Sequence, residues 1–274
     1  MRPLPVALVT VPPLLVLVVV QNPLLLGATC ALSVALVAVS PPPRKPYVMF
    51  ALTAAVLVFL INPFASAQGL TTIWQGPRIP VLDTEITQEE LLYGLGAGLR
   101  LAGSALAFTA FIRLAAGDRV LAAVARVAPH SALIAALATR LLPALEADAS
   151  GLVLAARARG ARLGGRRPSA ELLGPLVSLS LERSLSLAEA MEARGYGSGT
   201  RTRLPAPRWT RRERALLAVG LAISAVAAAC FATGAGDYTY YPLAANPVTT
   251  AAVAASAAML VLGAAAAGVV RWLD

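Results

Sequence analysis

Six apolar runs, separated by loops that gather the charge, constrain this chain more than any other feature. They extend approximately from Leu4 to Val20, Leu24 to Ser40, Pro46 to Ile61, Glu90 to Ala115, Ala215 to Ala235 and Val248 to Val270. The last three reach the ~20 residues that a helix needs to cross bilayer hydrocarbon. The first three are shorter and hold Pro12, Pro13 and Pro46, which predicts tilt, kinks or partial spans. Gln21-Asn22-Pro23 predicts a tight turn between the first two. Only 14% of the residues are charged and 58% are hydrophobic, whereas a soluble domain carries about a quarter charged residues. The chain reads as an all-α polytopic membrane protein with about six transmembrane helices.

The loop charges set an orientation. Arg2, the pair Arg44 and Lys45, the whole 116–214 stretch and Arg271 are basic. The intervening loops hold Asp83, Glu85, Glu89 and Glu90 against Arg78, and Asp237 among Tyr238, Tyr240 and Tyr241. Basic loops stay on the cytoplasmic side. The pattern therefore predicts six membrane crossings with both termini on the cytoplasmic side. It divides the chain into N-terminal membrane helices (1–115), a cytoplasmic region (116–211) and C-terminal membrane helices (212–274). The tyrosines fit an outer interfacial belt, and Trp209 and Trp272 an inner one. Met1-Arg2 followed by apolar residues resembles a secretory signal, and Cys30 invites a lipoprotein reading. Gly27-Ala28-Thr29 is a poor cleavage sequence, so an uncleaved signal-anchor helix is expected.

The net charge of +9 sits in those loops, which points to the membrane rather than to nucleic acid. Cys30 and Cys230 lie in apolar runs and read as inert packing residues. His130 is the one histidine, so no metal site and no cofactor are expected. In the fourth run, Gly94 and Gly98 form a G-x-x-x-G spacing, with Gly103 beyond. Small residues at that interval let helix backbones approach, so a packing face is expected. Arg100 lies near the middle of that run, where a charge is expensive unless it faces protein or water. It is expected to face the bundle interior or a polar cleft.

Within the cytoplasmic region, Asp118 is placed to cap a short helix ended by Pro129, and Ser131 to cap the next. That second helix should reach about Gly160 with a bend at Pro143. A third should begin near Pro168 and Ser169 and end at Gly195. Along the third, Ser178, Glu182, Ser186 and Glu189 form one polar stripe, while Leu176, Leu179, Leu187 and Met191 take other faces.

Each long helix should close on the same tripeptide, Ala158-Arg159-Gly160 and Ala193-Arg194-Gly195. One helix ending in Arg-Gly is ordinary, since glycine takes the left-handed cap and arginine complements the dipole. Two copies in one cytoplasmic region point to a paired grip. Antiparallel packing would send the ends to opposite tips, each presenting a guanidinium to a partner's carboxylates. The small alanine admits the tip to a groove, and the glycine lets the chain turn away. Such a pair suits a two-fold or pseudo-two-fold soluble partner.

At these residues the sequence resembles the transmembrane T component of energy-coupling factor (ECF) transporters, the EcfT/CbiQ-type permeases. The likeness is best over Ala138-Thr139-Arg140-Leu141-Leu142-Pro143 leading to Ala158-Arg159-Gly160. It is equally good over Ser180-Leu181-Glu182-Arg183-Ser184 leading to Glu189-Ala190-Met191-Glu192-Ala193-Arg194-Gly195-Tyr196. Glu89-Glu90-Leu91-Leu92-Tyr93-Gly94-Leu95 and Gly98-Leu99-Arg100-Leu101 are also similar. The N-terminal third lacks the His-x-Leu-Asp-Pro start of many members and leaves the subfamily open.

The resemblance implies coupling helices whose two Ala-Arg-Gly ends dock on a pair of cytoplasmic ABC-type ATPases, with Arg157, Glu182, Arg183 and Glu189 as support. It implies membrane helices that hold a separate substrate-binding S component for vitamin or transition-metal-ion uptake, the solute being chosen by that component. The chain itself would hydrolyse nothing. A conventional ABC importer permease is the nearer alternative, but such permeases use one coupling loop per chain. A membrane-embedded enzyme would need convergent catalytic groups, and Glu146, Asp148, Glu182, Glu189 and Glu192 are scattered at spacings that suit helix-surface pairing.

Overall fold

Pro23 at the first helical turn, with Asn22 capping it, sets the pattern for how these apolar runs become helices. The Asn22 side chain accepts from the Leu24 N–H, and the proline needs no acceptor there. The computed structural model describes residues 3–42, 45–62, 70–75, 85–160, 172–199 and 209–272. The chain forms two compact units, one of residues 1–120 with 209–274 and one of residues 121–208.

The first unit is built on α1 (Pro3–Val19), α2 (Pro23–Val39), α3 (Lys45–Ile61) and α4 (Gln88–Leu114). After α5 (Gly117–Val124) and the second unit, α8 (Arg211–Thr233) and α9 (Thr250–Arg271) complete it. The helices match the six predicted runs to within a few residues. By length and composition α4, α8 and α9 are each able to cross a membrane, while α1, α2 and α3 are shorter apolar helices. The architecture is that of an all-α polytopic membrane protein.

Packing places α2 against α4 and α9, and α1 against α8 and α4. Val9, Val16, Leu25, Leu36, Leu106, Ile223 and Met259 form their common core. Cys30 and Cys230 are buried in it as free thiols. Buried hydroxyls return to their own helices: Thr29 Oγ1 donates to the Leu25 carbonyl at 2.7 Å and Ser33 Oγ to that of Thr29 at 3.0 Å. No hydroxyl of that pair is left without an acceptor in apolar surroundings.

The Gly94/Gly98 face of α4 rests on α3. A Cβ on Gly98 would sit 2.9 Å from the Ala55 carbonyl oxygen, and one on Gly94 3.3 Å from that of Phe59. This is the close backbone approach that the spacing predicts. Much of α3 beyond that contact, including Met49, Phe50 and Leu52, is exposed apolar surface.

The α1–α2 turn is tied down from three directions. Its Gln21 and Asn22 N–H groups donate to the Gly236 carbonyl, and Asn22 Nδ2 to that of Pro247. Tyr240 donates its hydroxyl to the Gln21 carbonyl at 2.6 Å. Burial, followed by neighbouring Tyr238, pushes the Tyr240 hydroxyl up to about 12, so it remains a donor. Tyr238 and Tyr240 are buried packing groups, where the sequence suggested only an outer interfacial belt. They stack edge-on with centroids 4.6 Å apart, and Tyr93 meets Tyr240 at 5.3 Å. A composition-based belt assignment cannot see that the loop folds back onto the turn.

Two short strands, β1 (Thr72–Gln75) and β2 (Glu85–Thr87), pair antiparallel just before α4. They were not expected, since three or four residues carry no periodicity. Thr87 and Glu90 close a reciprocal capping box on α4, and the Glu89 carboxylate accepts from Thr71 Oγ1 at 2.6 Å. Both glutamates are buried at a helix N-terminus, where negative charge is favoured. Asp83 and Arg78 of that loop, like Arg2 and Arg44, lie outside the described residues.

The second unit contains α6 (Pro129–Ala158) and α7 (Leu173–Ala193). Pro129 opens α6 and does not end α5, which stops at Val124. Proline's fixed φ and missing N–H suit a first helical position. Ser131 is accordingly inside the first turn and is not a cap; the cap position is Ala128. Asp118 similarly lies within the first turn of α5. Pro143 lies inside α6 as expected. The predicted α7 start at Pro168 and Ser169 lies outside the described residues, and the helix is formed from Leu173.

Candidate functional site

The two Ala-Arg-Gly copies have the same backbone conformation. Arg159 is the C-cap of α6 with φ −85 and ψ 10, and Arg194 that of α7 with φ −84 and ψ 4. Each is followed by a left-handed glycine, Gly160 at φ +80 and Gly195 at φ +78. The Gly160 N–H donates to the Arg157 carbonyl at 2.9 Å, and the Gly195 N–H to that of Glu192 at 2.8 Å. At the second end the Tyr196 N–H also donates to the Met191 carbonyl at 3.0 Å. That pair of bonds satisfies carbonyls the helix would otherwise leave open. Ser198 Oγ adds a bond to the Gly195 carbonyl at 2.7 Å.

All six residues, Ala158, Arg159, Gly160, Ala193, Arg194 and Gly195, are exposed, as is Arg157. Each tip thus presents its cap arginine beside a side-chain-free turn, with Arg157 also exposed at the first. Gly164 and Gly165, which follow the first copy, lie outside the described residues.

A side-chain ion pair joins α6 to α7. Arg183 Nη2 meets Asp148 Oδ2 at 2.7 Å. Asp148 precedes Arg159 by eleven residues and Arg183 precedes Arg194 by eleven. At ~1.5 Å per residue each tip lies about 16 Å along its helix from this contact. The pair is therefore equally far along the chain from each tip. Sequence reasoning named Arg183 as support but left Asp148 among scattered acids, because their pairing is tertiary. Glu182 and Glu189 are exposed on α7 with Ser178 and Ser186, so the polar stripe faces outward. Leu176, Leu179, Leu187 and Met191 are less exposed. A second stripe, Leu173, Val177, Leu181 and Leu185, is more than half exposed although apolar. The sequence reading did not single it out, and its spacing of four was the available signal.

Arg100 stands apart from the tips, in the first unit. It is partly buried, and its Nη2 donates to the Val20 carbonyl at 2.8 Å while Nε has no hydrogen-bond partner among the described residues. It therefore faces protein, as expected, and serves the end of α1. Arg113 performs a similar service for α2, bonding Ser40 Oγ and the Pro41 carbonyl. Among the described residues no group of three or more His, Cys, Asp and Glu comes together.

The fold defines a polytopic helical membrane protein with a second compact unit, in which the described residues form α6 and α7 with their matched basic ends. The chain belongs to the CbiQ family, described as cobalt transport protein, whose profile matches residues 3–204. It is similar to the energy-coupling factor transporter transmembrane protein EcfT of Exiguobacterium sibiricum, 37% identical over 108 residues, or 36% of this chain and 41% of that protein. It is likewise similar to the protein of the same name from Bacillus selenitireducens, 37% identical over 101 residues, or 34% of this chain and 38% of that one. The matched segments span about two fifths of the length of these curated relatives.

Proposed function

We propose that this chain is the T component of an ECF-type ABC importer in a bacterial cytoplasmic membrane, with both termini and residues 121–208 in the cytoplasm. Two ABC-type ATPases dock on it, one at each Ala-Arg-Gly tip, while the membrane helices hold an S component. Movement of the ATPases as they bind and hydrolyse ATP passes through α6 and α7 to the S component. That component reorients in the bilayer and selects the solute, a vitamin or a transition-metal ion. The chain supplies no catalytic group.

The observation that carries this reading is the equivalence of the two ends, which share φ and ψ, the same glycine turn and the same distance from Asp148–Arg183. One helix cap has no need of a twin, whereas two like subunits need two like contacts. A conventional permease, with one coupling loop, is the less favoured reading.

The test is co-purification with co-expressed ATPases. Losing one partner of a buried, hydrogen-bonded interfacial charge pair costs ~2–5 kcal/mol, more than tenfold in affinity even at the lower end. Arg159→Ala or Arg194→Ala should weaken ATPase recovery and solute uptake, and the double variant should abolish both. The ATPases should keep basal hydrolysis. Arg201→Ala and Arg203→Ala are the controls, in a segment outside the described residues. Wild-type recovery and uptake in the double variant would reduce the two ends to ordinary helix caps.

A further inference from the structure

Residues 121–208 join the rest of the chain at only two places, 120/121 and 208/209. An ion pair in the first unit links the residues flanking these two places. Arg119 Nη1 donates to Glu213 Oε1 at 3.1 Å, across ninety-four residues of sequence. Glu213 is buried to 8% exposure. Its carboxylate also accepts from the Thr210 N–H, while Thr210 Oγ1 accepts from the Glu213 N–H, closing the capping box of α8. One carboxylate therefore holds both the start of α8 and the start of α5.

Arginine in the first turn of a helix opposes the helix dipole, so Arg119 gains from the anion that faces it. The Arg119 side chain is 50% exposed, and a pair so solvated adds little to stability. Its place, bridging the two connections, matters more than its strength.

We propose that Arg119 and Glu213 form the joint that makes the two connections move as one, so that motion of residues 121–208 reaches α4 and α8 in register. These are positioning residues, and the coupling part of the proposal rests on the T-component reading above.

The first arm of the test needs no partner. In a chain with Cys30 and Cys230 replaced by alanine, nitroxide labels at Asp118→Cys and Arg214→Cys report the separation of the two helix starts by pulsed electron resonance. One narrow distance distribution is expected, broadened in Arg119→Leu and in Glu213→Gln and kept in Arg119→Lys. Glutamine also serves at the third position of a capping box, so Glu213→Gln removes the charge without removing the cap. An unchanged distribution in both variants overturns the joint, whatever the ATPases do.

The second arm uses the complex with ATPases and S component. Energetic coupling between sites typically spans ~5–150-fold. Transport per ATP hydrolysed should accordingly fall at least ~5-fold in Arg119→Leu and Glu213→Gln, with ATPase recovery unchanged and activity retained in Arg119→Lys. Unchanged transport per ATP despite a broadened distribution overturns the coupling role. If the parent chain recovers no ATPases, the T-component reading fails alone, and the label distances still decide the joint.

Discussion

Replacing Gly160 or Gly195 by alanine separates the shape of the two tips from their charge. Both glycines hold φ near +80, a region where an L side chain costs ~1–2 kcal/mol. A Cβ at Gly160 would meet nothing within 4 Å, so Gly160→Ala tests the backbone term alone. At Gly195 a Cβ would lie 3.1 Å from Ser198 Oγ, a hydroxyl able to rotate, so the added cost is small. The helix should escape this strain by unwinding its last turn, which would move the arginine from the position proposed for docking. At ~1 kcal/mol the docked geometry becomes about fivefold rarer, because 1.36 kcal/mol is tenfold. ATPase affinity should then fall about fivefold per single variant, less than the more than tenfold expected for loss of either arginine. Asparagine tolerates the left-handed region, so Gly160→Asn and Gly195→Asn should recover most of the loss. Titration of detergent-purified chain with labelled ATPase subunits measures this order directly. If asparagine binds no better than alanine, the left-handed turn is not what positions Arg159 and Arg194.

Two other expectations concern the membrane unit. Gly98→Ala would place a Cβ 2.9 Å from the Ala55 backbone carbonyl, inside a helix that cannot yield locally, so thermal stability in detergent should fall by an overpacking cost of ~1–3 kcal/mol; unchanged melting would mean that α3 and α4 are not held this closely. Orientation is checked with single cysteines at Ser198 and Ala244, with Cys30 and Cys230 replaced, and an impermeant thiol reagent on intact cells. Label at Ala244 but not at Ser198 is expected from the loop charges, and the reverse pattern would invert the topology.

What the sequence revealed depended on the range of the interaction. The six apolar runs and both Arg-Gly helix ends are local, because hydrophobic length and a left-handed cap are written in consecutive residues. Gly94 and Gly98 were legible as a packing face for the same reason. The partners of those features were not legible. Nothing in the chain order says that Arg100 meets Val20, that Tyr240 meets Gln21, or that Arg119 meets Glu213. Ser131 failed as a cap because Pro129 competes for the same helix start and enters it without needing an acceptor. The burial of Tyr238 and Tyr240 was not legible because the same residue type serves an interface or a buried turn, and only the fold of the 234–249 loop chooses.

The Asp148–Arg183 pair bears on the docking proposed for the two tips. Arg183 is 38% exposed, and partly solvated pairs contribute ~0–1 kcal/mol, so this one does little to hold the helices together. Its position matters more than its strength. A slip of α6 against α7 by one turn would shift one tip by ~5.4 Å relative to the other, far beyond hydrogen-bonding tolerance for two guanidiniums proposed to engage two subunits at once. Such a slip separates the charges of Asp148 and Arg183, so the pair biases the register by up to ~1 kcal/mol without locking it. Leu173, Val177, Leu181 and Leu185 of α7 stay exposed, so the pair favours a register without demanding a tightly closed helix pair, a combination that suits the proposed transmission of motion between subunits.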